Sequence, residues 1–466
     1  MLSKIKAGLS LFKQALVGDA NINYTEGSIA RASFLLAVPM ILEMAMESIF
    51  AIVDIFFVAG LGAEAVAAVG LTEAVISLLY AIAIGLSMAA TAMVARRIGE
   101  GNPVAAATVA GQAMWVGIAI SAIVGMTGYW FAPDILRLMG GDESLIAVGS
   151  SYTQIMLTGS FTIVFLFLNN AVFRGAGDAS IAMRALILAN CINIVLDPLL
   201  IYGVGPFPDM GITGAAVATN IGRGIGIAYQ LYYLCSRHHR IRLLWQHMVV
   251  QIGLIFQLLR ISVGGISQYL IATASWVFLM RLVALHGNEA VAGYTISIRV
   301  IIFVLLPSWG LSNAVATLVG QNLGAGKPDR AEQTVWQVAR YNLVYMISVA
   351  LVLIFFPTWI MGFFSTNPEV ILNGIQSLRI LSYGFIFLAI GTVVTQAYNG
   401  AGDTMTPTWI NLFAFWVLQI PLAWTLTNSL AWGPEGVYWS VFIADMSMSV
   451  IGTYLFMKGS WKNRAV

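Results

Sequence analysis

Charged residues are scarce in this chain: Asp, Glu, Lys and Arg together make up 9% of its 466 residues, whereas hydrophobic residues make up 59%. A soluble domain carries roughly 25% charged residues, so this chain has too few to cover a water-facing surface on every side. Its mean hydropathy is +0.85. The shortage of charge therefore predicts a polytopic membrane protein.

Cysteine, histidine and net charge are also in short supply, and each shortage argues against a class of protein. The two cysteines, Cys191 and Cys235, lie far apart in or beside apolar stretches, which predicts buried free thiols and no disulfide. The net charge of +2 and the scattered basic residues argue against a nucleic-acid partner. No zinc-protease or GxSxG motif appears, and all four histidines lie in loops or at helix ends, so we expect neither an enzyme nor a cofactor. The histidines are His238, His239, His247 and His286.

Apolar stretches long enough to cross a bilayer, which takes about 20 residues, recur along the whole chain. Breaks of Gly, Pro and charge separate twelve of them and predict an all-α polytopic membrane protein with twelve transmembrane helices. The predicted spans are 32–60, 66–95, 105–131, 145–173, 180–203, 211–235, 252–285, 290–322, 336–363, 371–398, 405–430 and 436–457.

Lysine and arginine collect on one side of these spans, whereas the opposite loops hold Arg137 alone. The positive-inside rule then places both termini and the central loop in the cytoplasm of a multi-pass protein of the cell inner membrane. At the N-terminus, Ile5, Leu9, Phe12 and Leu16 recur at helical spacing, which predicts a short amphipathic helix on an anionic membrane surface; plain disorder is the alternative. The basic side holds Lys4, Lys6, Lys13, Arg31, Arg96, Arg97, Arg174, Arg184, Arg237, Arg240, Arg242, Lys327, Arg330, Lys458, Lys462 and Arg464.

Three short motifs recur after 225 residues, which indicates an internal repeat. They are "LGAEAVAA" at Leu61 with "HGNEAVAG" at His286, "IGEGNP" at Ile98 with "LGAGKP" at Leu323, and "RGAGD" at Arg174 with "NGAGD" at Asn399. The repeat predicts two six-helix lobes related by a pseudo-two-fold axis along the membrane normal, with a cavity between them. The predicted divisions are a cytoplasmic N-terminal segment (1–30), an N-lobe (31–235), a basic cytoplasmic linker (236–251), a C-lobe (252–457) and a cytoplasmic tail (458–466).

Acidic residues inside the first-half spans need an explanation, because a charge at the bilayer centre costs at least about 2.5–3.5 kcal/mol. In span one, Glu43, Glu47 and Asp54 share one helical stripe. In span five, Asn193 and Asp197 share one face. No acid stands 225 residues after any of these acids, so packing alone does not require them.

We expect the stripe of span one to meet the face of span five, which would form a polar pocket of Asp54, Asn193 and Asp197. Two adjacent carboxyl groups in a low-dielectric interior cannot both stay ionised cheaply, so such a pair would bind a proton or a sodium ion. The other intramembrane acids are possible accessory groups, or they face water or pair with arginines such as Arg223, Arg281, Arg299 and Arg379. These acids are Glu43, Glu47, Glu73 and Asp445.

Nearly the whole chain resembles the multidrug and toxic compound extrusion (MATE) transporters of prokaryotic type. The motifs that carry the resemblance are "TEGSI", Pro39, "VDIFFVAGLGAEAVAAVG", "GEGNP", "RGAGD", "NIVLDPLLIYG", "GITGAAVATNIG", "HGNEAVAG", "GQNLGAGKP" and "NGAGD". The resemblance implies a V-shaped, two-lobe exporter that alternates access and exchanges a proton or sodium ion for a drug-like molecule. It also implies a cation-coupling pocket that includes Asp54, Asn193, Asp197 and a threonine of span six, for which Thr219 is the best match. One branch of the family carries further acids in helices seven and ten; spans 252–285 and 371–398 hold none, so that C-lobe site is not expected.

Together these features predict a cation-coupled antiporter that exports amphipathic, often cationic compounds. We expect a monomer surrounded by membrane lipids, with small-molecule substrates and no cofactor beyond the coupling ion. A sodium ion, if used, would lie at Asp54, Asn193, Asp197 and Thr219. The alternative is a flippase or exporter of lipid-linked oligosaccharide or another amphipathic lipid, which would be expected to line its cavity with Arg and Lys.

Overall fold

A computed structural model describes residues 2–18, 22–236 and 239–464, and no β-strand occurs in these ranges. A short helix, α1 (Leu2–Val17), precedes the helices of the N-lobe. The fourth span of the N-lobe is divided at Gly159 into α5 and α6. The N-lobe helices are α2 (Ile29–Ala59), α3 (Ala63–Gly99), α4 (Pro103–Leu138), α5 (Glu143–Thr158), α6 (Ser160–Ala176), α7 (Ala179–Ile201) and α8 (Ile212–Cys235).

The C-lobe follows a single 3₁₀ turn at Trp245–Met248. Helices α13 and α14 meet at a bend of 54° and form one span. Helices α15 and α16 are joined and extended by wide π-helical turns into one span, Met405–Ser429. The C-lobe helices are α9 (Ile252–Ala284), α10 (Asn288–Gly324), α11 (Pro328–Phe355), α12 (Pro357–Gly362), α13 (Pro368–Tyr383), α14 (Phe385–Gly400), α15 (Met405–Asn411), α16 (Ile420–Trp424) and α17 (Pro434–Met457).

Most of these helices have the length and composition of membrane spans. Within the described residues, nine helices qualify, or ten when the bent pair counts as one span. Helices α2 and α8 complete the twelve. Helix α2 is among the more apolar helices although it carries three acids, and α8 carries the charged Arg223. The predicted class, an all-α membrane protein of two six-helix lobes, is confirmed.

The 225-residue repeat of the sequence is also a repeat of the helices. Helices α3 and α10 both have 37 residues and begin 225 positions apart, and α5 and α13 both have 16 residues at the same offset. The two "GAGD" turns use a glycine with positive φ, at Gly177 (+90°) and Gly402 (+82°). Asp403 accepts a hydrogen bond from the Thr406 backbone N–H (3.3 Å), as expected for a helix cap, whereas the side chain of Asp178 does not cap α7.

The two lobes are joined near the face that carries both chain ends and the linker, which we call the terminal face. A Cβ atom on Gly310 of α10 would lie 2.7 Å from the Cα atom of Ile41, and one on Gly85 of α3 would meet Ile266 of α9 as closely. These two contacts are related by the repeat. Every side-chain hydrogen bond between the lobes within the described ranges also lies at this face, for example Gln321 Nε2 to the Gly175 carbonyl at 2.9 Å. Toward the opposite face, each lobe has its own apolar core.

Two smaller expectations meet different outcomes. Residues Leu2–Val17 form a helix that packs on α2 and α7 and buries Ala15, so the alternative of disorder is wrong. Cys191 and Cys235 are both free, as predicted, but they are exposed rather than buried. Apolar residues on a membrane helix can face lipid, so an apolar surrounding sequence does not imply burial within the protein.

Candidate cation site in the N-lobe

Four side chains predicted to act together do meet, at the junction of α2, α7 and α8. Thr219 Oγ1 donates a hydrogen bond to Asp54 Oδ2 (3.2 Å). Asn193 Nδ2 lies 3.1 Å from Asp197 Oδ1 and 3.4 Å from Thr219 Oγ1. Asp197 and Asn193 are completely buried, Thr219 is 1% exposed, and Asp54 is partly exposed. One connected polar cluster therefore links three helices inside the N-lobe.

The cluster contains more oxygen acceptors than hydrogen-bond donors. Asp54 Oδ1, Asp197 Oδ2 and Asn193 Oδ1 are buried without a hydrogen-bond partner among the described residues. The carboxyl groups of Asp54 and Asp197 also interact directly with each other. Buried polar atoms are normally satisfied, and two ionised carboxylates repel one another. A proton or a small cation would satisfy these oxygens, and carboxylate, amide and hydroxyl oxygens suit a hard cation.

Local sequence explains how the three helices come together. Asn193 and Asp197 are one turn apart on α7, so both face the same neighbours. Gly222 on α8 allows close packing with α7, because a Cβ atom there would lie 2.7 Å from the Ala189 carbonyl oxygen. That approach brings Thr219, three residues earlier, within hydrogen-bond distance of Asn193. Three glycines of α8, Gly214, Gly222 and Gly226, thus allow close helix packing.

Glu43 belongs to a different cluster. Its Oε1 accepts hydrogen bonds from Arg174 Nη1 (2.8 Å) and Asn170 Nδ2 (2.9 Å), and Glu43 is 3% exposed. At about 1.5 Å per residue, Glu43 lies about 16 Å along α2 from Asp54, toward the terminal face. The interpretation that Glu43 faces water is therefore wrong: α6 supplies a buried ion pair for it.

Glu47 and Glu73 lie near the cluster without joining it. Glu47 is partly exposed and Glu73 is exposed. Both are close enough for their charges to interact with the guanidinium group of Arg223. Within the described residues no ion pair joins Glu73 to Arg281 or Arg299, so those two suggested partners are wrong.

Arg223 is the residue whose place the sequence interpretation left undecided. It was suggested as one of several partners for the intramembrane acids, and it lies near the middle of α8 with 6% exposure. Its position in the sequence indicates burial, because Arg223 lies 11 residues from the first residue of the helix and 12 from the last. A side chain that far from both ends cannot reach the membrane surface. It must find its partners inside the protein.

Asp445 lies apart from all of these residues, in the C-lobe. It is on α17 and faces the break in the tenth span, with its Oδ2 3.6 Å from the position of a Cβ atom on Gly384. The residues 225 positions earlier are Asn220 and Gly159, which meet in the same way at the break in the fourth span. Asp445 thus occupies the position of a neutral amide in the other lobe and takes no part in the N-lobe cluster.

Comparison with known proteins places the chain in a family. The family model described as MatE matches residues 39–199 and 261–425, one stretch in each lobe. The chain belongs to the MATE family. Its members are transporters, so this MATE protein is a transporter and not an enzyme, and small-molecule substrates follow from the multidrug function of its relatives.

Curated relatives match almost end to end. A probable multidrug resistance protein NorM of Thermotoga maritima is 28% identical over 444 residues, which cover 92% of this chain and 93% of the relative. An FAD transporter of Shewanella oneidensis is 28% identical over 416 residues, covering 87% and 89%. The multidrug export protein MepA of Staphylococcus haemolyticus is 22% identical, covering 95% and 96%. The relatives' names support drug extrusion as the general activity.

Solved structures show the same fold. MATE in the bent conformation superposes with a TM-score of 0.87 at 24% identity, covering 94% of this chain and 96% of that one. An outward-facing multidrug resistance MATE transporter gives 0.86 at 24% identity, covering 95% and 98%. The two-lobe arrangement of twelve helices is therefore shared with solved MATE transporters.

Proposed function

We propose that this MATE protein is a cation-coupled antiporter that exports amphipathic, often cationic organic compounds by alternating access. In this proposal the terminal face is cytoplasmic, as the distribution of Lys and Arg predicts. The observation that carries cation coupling is the set of three unpartnered, buried oxygens on Asp54, Asn193 and Asp197. They concentrate negative charge where water is excluded, and that charge must be neutralised for the lobe to stay closed around it.

The exchange of ion for substrate depends on where the cluster lies, on a helix that also contacts the other lobe. The N-lobe meets the C-lobe where α2 and α3 contact α9 and α10, and Asp54 lies on α2. When the cluster binds its ion from outside, the charge on α2 is neutralised and the helix can pack against α7 and α8. When the ion leaves, repulsion between Asp54 and Asp197 favours a different packing of α2. Because Ile41 on the same helix touches Gly310 of the C-lobe, a shift of α2 reaches the contacts that close the terminal face.

The substrate class rests on the names of the relatives and on the charges inside the N-lobe. Relatives are named for multidrug resistance and export, and one for FAD transport. The rival function, a lipid-linked oligosaccharide flippase, is not favoured by any of these names. It would also call for a cavity rich in arginine and lysine, whereas the interior of the N-lobe presents mainly acids around Arg223.

Transport in proteoliposomes tests the coupling. Purified protein is reconstituted, and ethidium uptake is followed while a pH gradient and a sodium gradient are imposed separately at constant membrane potential. We expect one of the two gradients to drive uptake against the ethidium gradient. Ethidium that equilibrates at the same rate with either gradient or none would contradict cation coupling, and the protein would then be a facilitator.

A further inference from the structure

Arg223 is a buried positive charge surrounded by the negative charges of the N-lobe. Glu47 and Asp54 of α2 and Glu73 of α3 are close enough for their charges to interact with it. Its position in the repeat corresponds to Met448 in the C-lobe. The fold therefore does not require an arginine at this place on the last helix of a lobe.

Neutral groups hold the guanidinium group in place. Arg223 Nη2 donates a hydrogen bond to the Tyr80 hydroxyl oxygen (2.9 Å), and the guanidinium carbon lies 4.7 Å from the centre of the Phe50 ring. Within the described residues, no carboxylate oxygen lies within 4.0 Å of its nitrogens. A buried arginine normally pairs with an acid. It is therefore unusual that Arg223 contacts Tyr80 and Phe50 while three carboxylates lie nearby.

Two atoms of opposite charge are left without partners on neighbouring helices. Arg223 Nη1 and Asp54 Oδ1 are both buried and form no hydrogen bond with any described residue. Both residues lie beside Thr219. Arg223 is one helical turn after Thr219 on α8, and the Thr219 hydroxyl donates a hydrogen bond to the other carboxylate oxygen of Asp54 at 3.2 Å. Arg223 has several rotatable side-chain bonds, and different rotamers place its guanidinium group at different points around α8.

We propose that Arg223 is a tethered counter-cation for Asp54. While the coupling ion occupies the cluster, Tyr80 and Phe50 hold the guanidinium group aside. When the ion has left and α2 has changed its packing, Arg223 turns to Asp54 and replaces the lost positive charge. This inference rests on the proposed ion site. It explains how the protein can change face with substrate bound and the ion site empty, since an ionised Asp54 beside Asp197 would otherwise lack compensation in a low-dielectric interior.

The role predicts which half of the transport cycle depends on Arg223. Exchange of substrate for substrate requires the lobes to move while the ion site is empty, so it needs the counter-charge. In proteoliposomes at pH 9 without sodium, with equal ethidium on both sides and label on one, we expect R223Q to exchange ethidium at least tenfold more slowly than the unaltered protein. R223K, which keeps the charge but loses the planar guanidinium, should fall between them.

A second substitution separates charge compensation from damage to the fold. In the double variant D54N/R223Q, the neutral amide needs no counter-charge, so ethidium exchange should recover most of its rate. A role of Arg223 in packing alone would leave the double variant as slow as R223Q. Size-exclusion chromatography and thermal unfolding in detergent show whether each variant is folded before transport is measured.

The outcomes also distinguish this inference from the proposed function. If D54N removes the dependence of uptake on the ion gradient but R223Q exchanges ethidium at the unaltered rate, the counter-cation is refuted and the ion site stands. If D54N transport still responds to the gradient, the ion site itself is refuted, and the counter-cation with it. An R223Q variant that D54N does not rescue also overturns the proposal.

Discussion

Replacing Asp54 by asparagine is the most direct test of the ion site. The amide has nearly the shape of the carboxylate, and its oxygen can still accept the hydrogen bond that Thr219 donates at 3.2 Å. What disappears is one of two negative charges in the cluster. Asp197, which is completely buried, would be left to bind the ion alone.

The size of the effect follows from the charge removed. Two unit charges about 4 Å apart interact by about 4 kcal/mol at an effective dielectric constant of about 20. Each 1.4 kcal/mol is a factor of ten in affinity, so the loss corresponds to an affinity about a thousandfold weaker. We therefore expect D54N to show no saturable dependence of ethidium transport on the coupling ion over the range in which the unaltered protein saturates.

The measurement is the ion concentration that gives half-maximal ethidium transport in proteoliposomes. Asp134→Asn is the matched control, because it makes the same chemical change at a side chain that is 63% exposed and pairs with Arg137 at the surface. A surface ion pair contributes about 0–1 kcal/mol, so this control should transport normally. A D54N protein with a half-maximal concentration within threefold of the unaltered value would refute the reasoning.

Two further predictions concern stability and conformation. Arg174→Met leaves Glu43 buried without its 2.8 Å partner, which should lower the free energy of unfolding by about 3–5 kcal/mol, and adding Glu43→Gln should restore much of it; thermal unfolding in detergent measures both, and an unchanged Tm would contradict the buried ion pair. Gly310→Val places atoms against the backbone of Ile41 and should separate the lobes at the terminal face, as electron–electron distances between spin labels on the two lobes would show. Gly253→Val, whose Cβ atom would meet nothing within 4 Å, is the control; equal distances in both variants would contradict a glycine-dependent contact.

Much of the architecture could be predicted because it follows from the composition of the sequence and from its internal repeat. The low charge content indicates membrane spans, and the 225-residue offset gives the two lobes. It also pairs the turns: Gly101 and Gly326, which lie in the repeated motifs "GEGNP" and "GAGKP", both have positive φ. These features are local or periodic, so each can be identified without knowing which helix faces which.

The partners of the charged residues could be predicted only in part. Helical spacing places Asp54 and Asp197 on single faces, but it does not say which arginine approaches which acid. Glu43 is paired with Arg174 of α6, and Glu73 faces neither of the arginines suggested for it. Such pairings depend on the rotation and depth of neighbouring helices, and a sequence pattern fixes these only to within a turn or so. The breaks at Gly159 and Gly384 were missed because glycine is common throughout these spans.

Comparison of the two lobes shows what function adds to a shared fold. Where the N-lobe has Asp54, the C-lobe has Leu279, which is 2% exposed and sits in the apolar core. Where the N-lobe has Thr219, the C-lobe has a completely buried Ala444. The C-lobe shows that the same helices pack with aliphatic residues at these positions, and burying carboxylates instead costs stability. Since the fold stands without these charges, their concentration in one lobe is best explained by binding and release of an ion. In the proposed mechanism, the inter-lobe contacts at the terminal face transmit the movement of that lobe to the other.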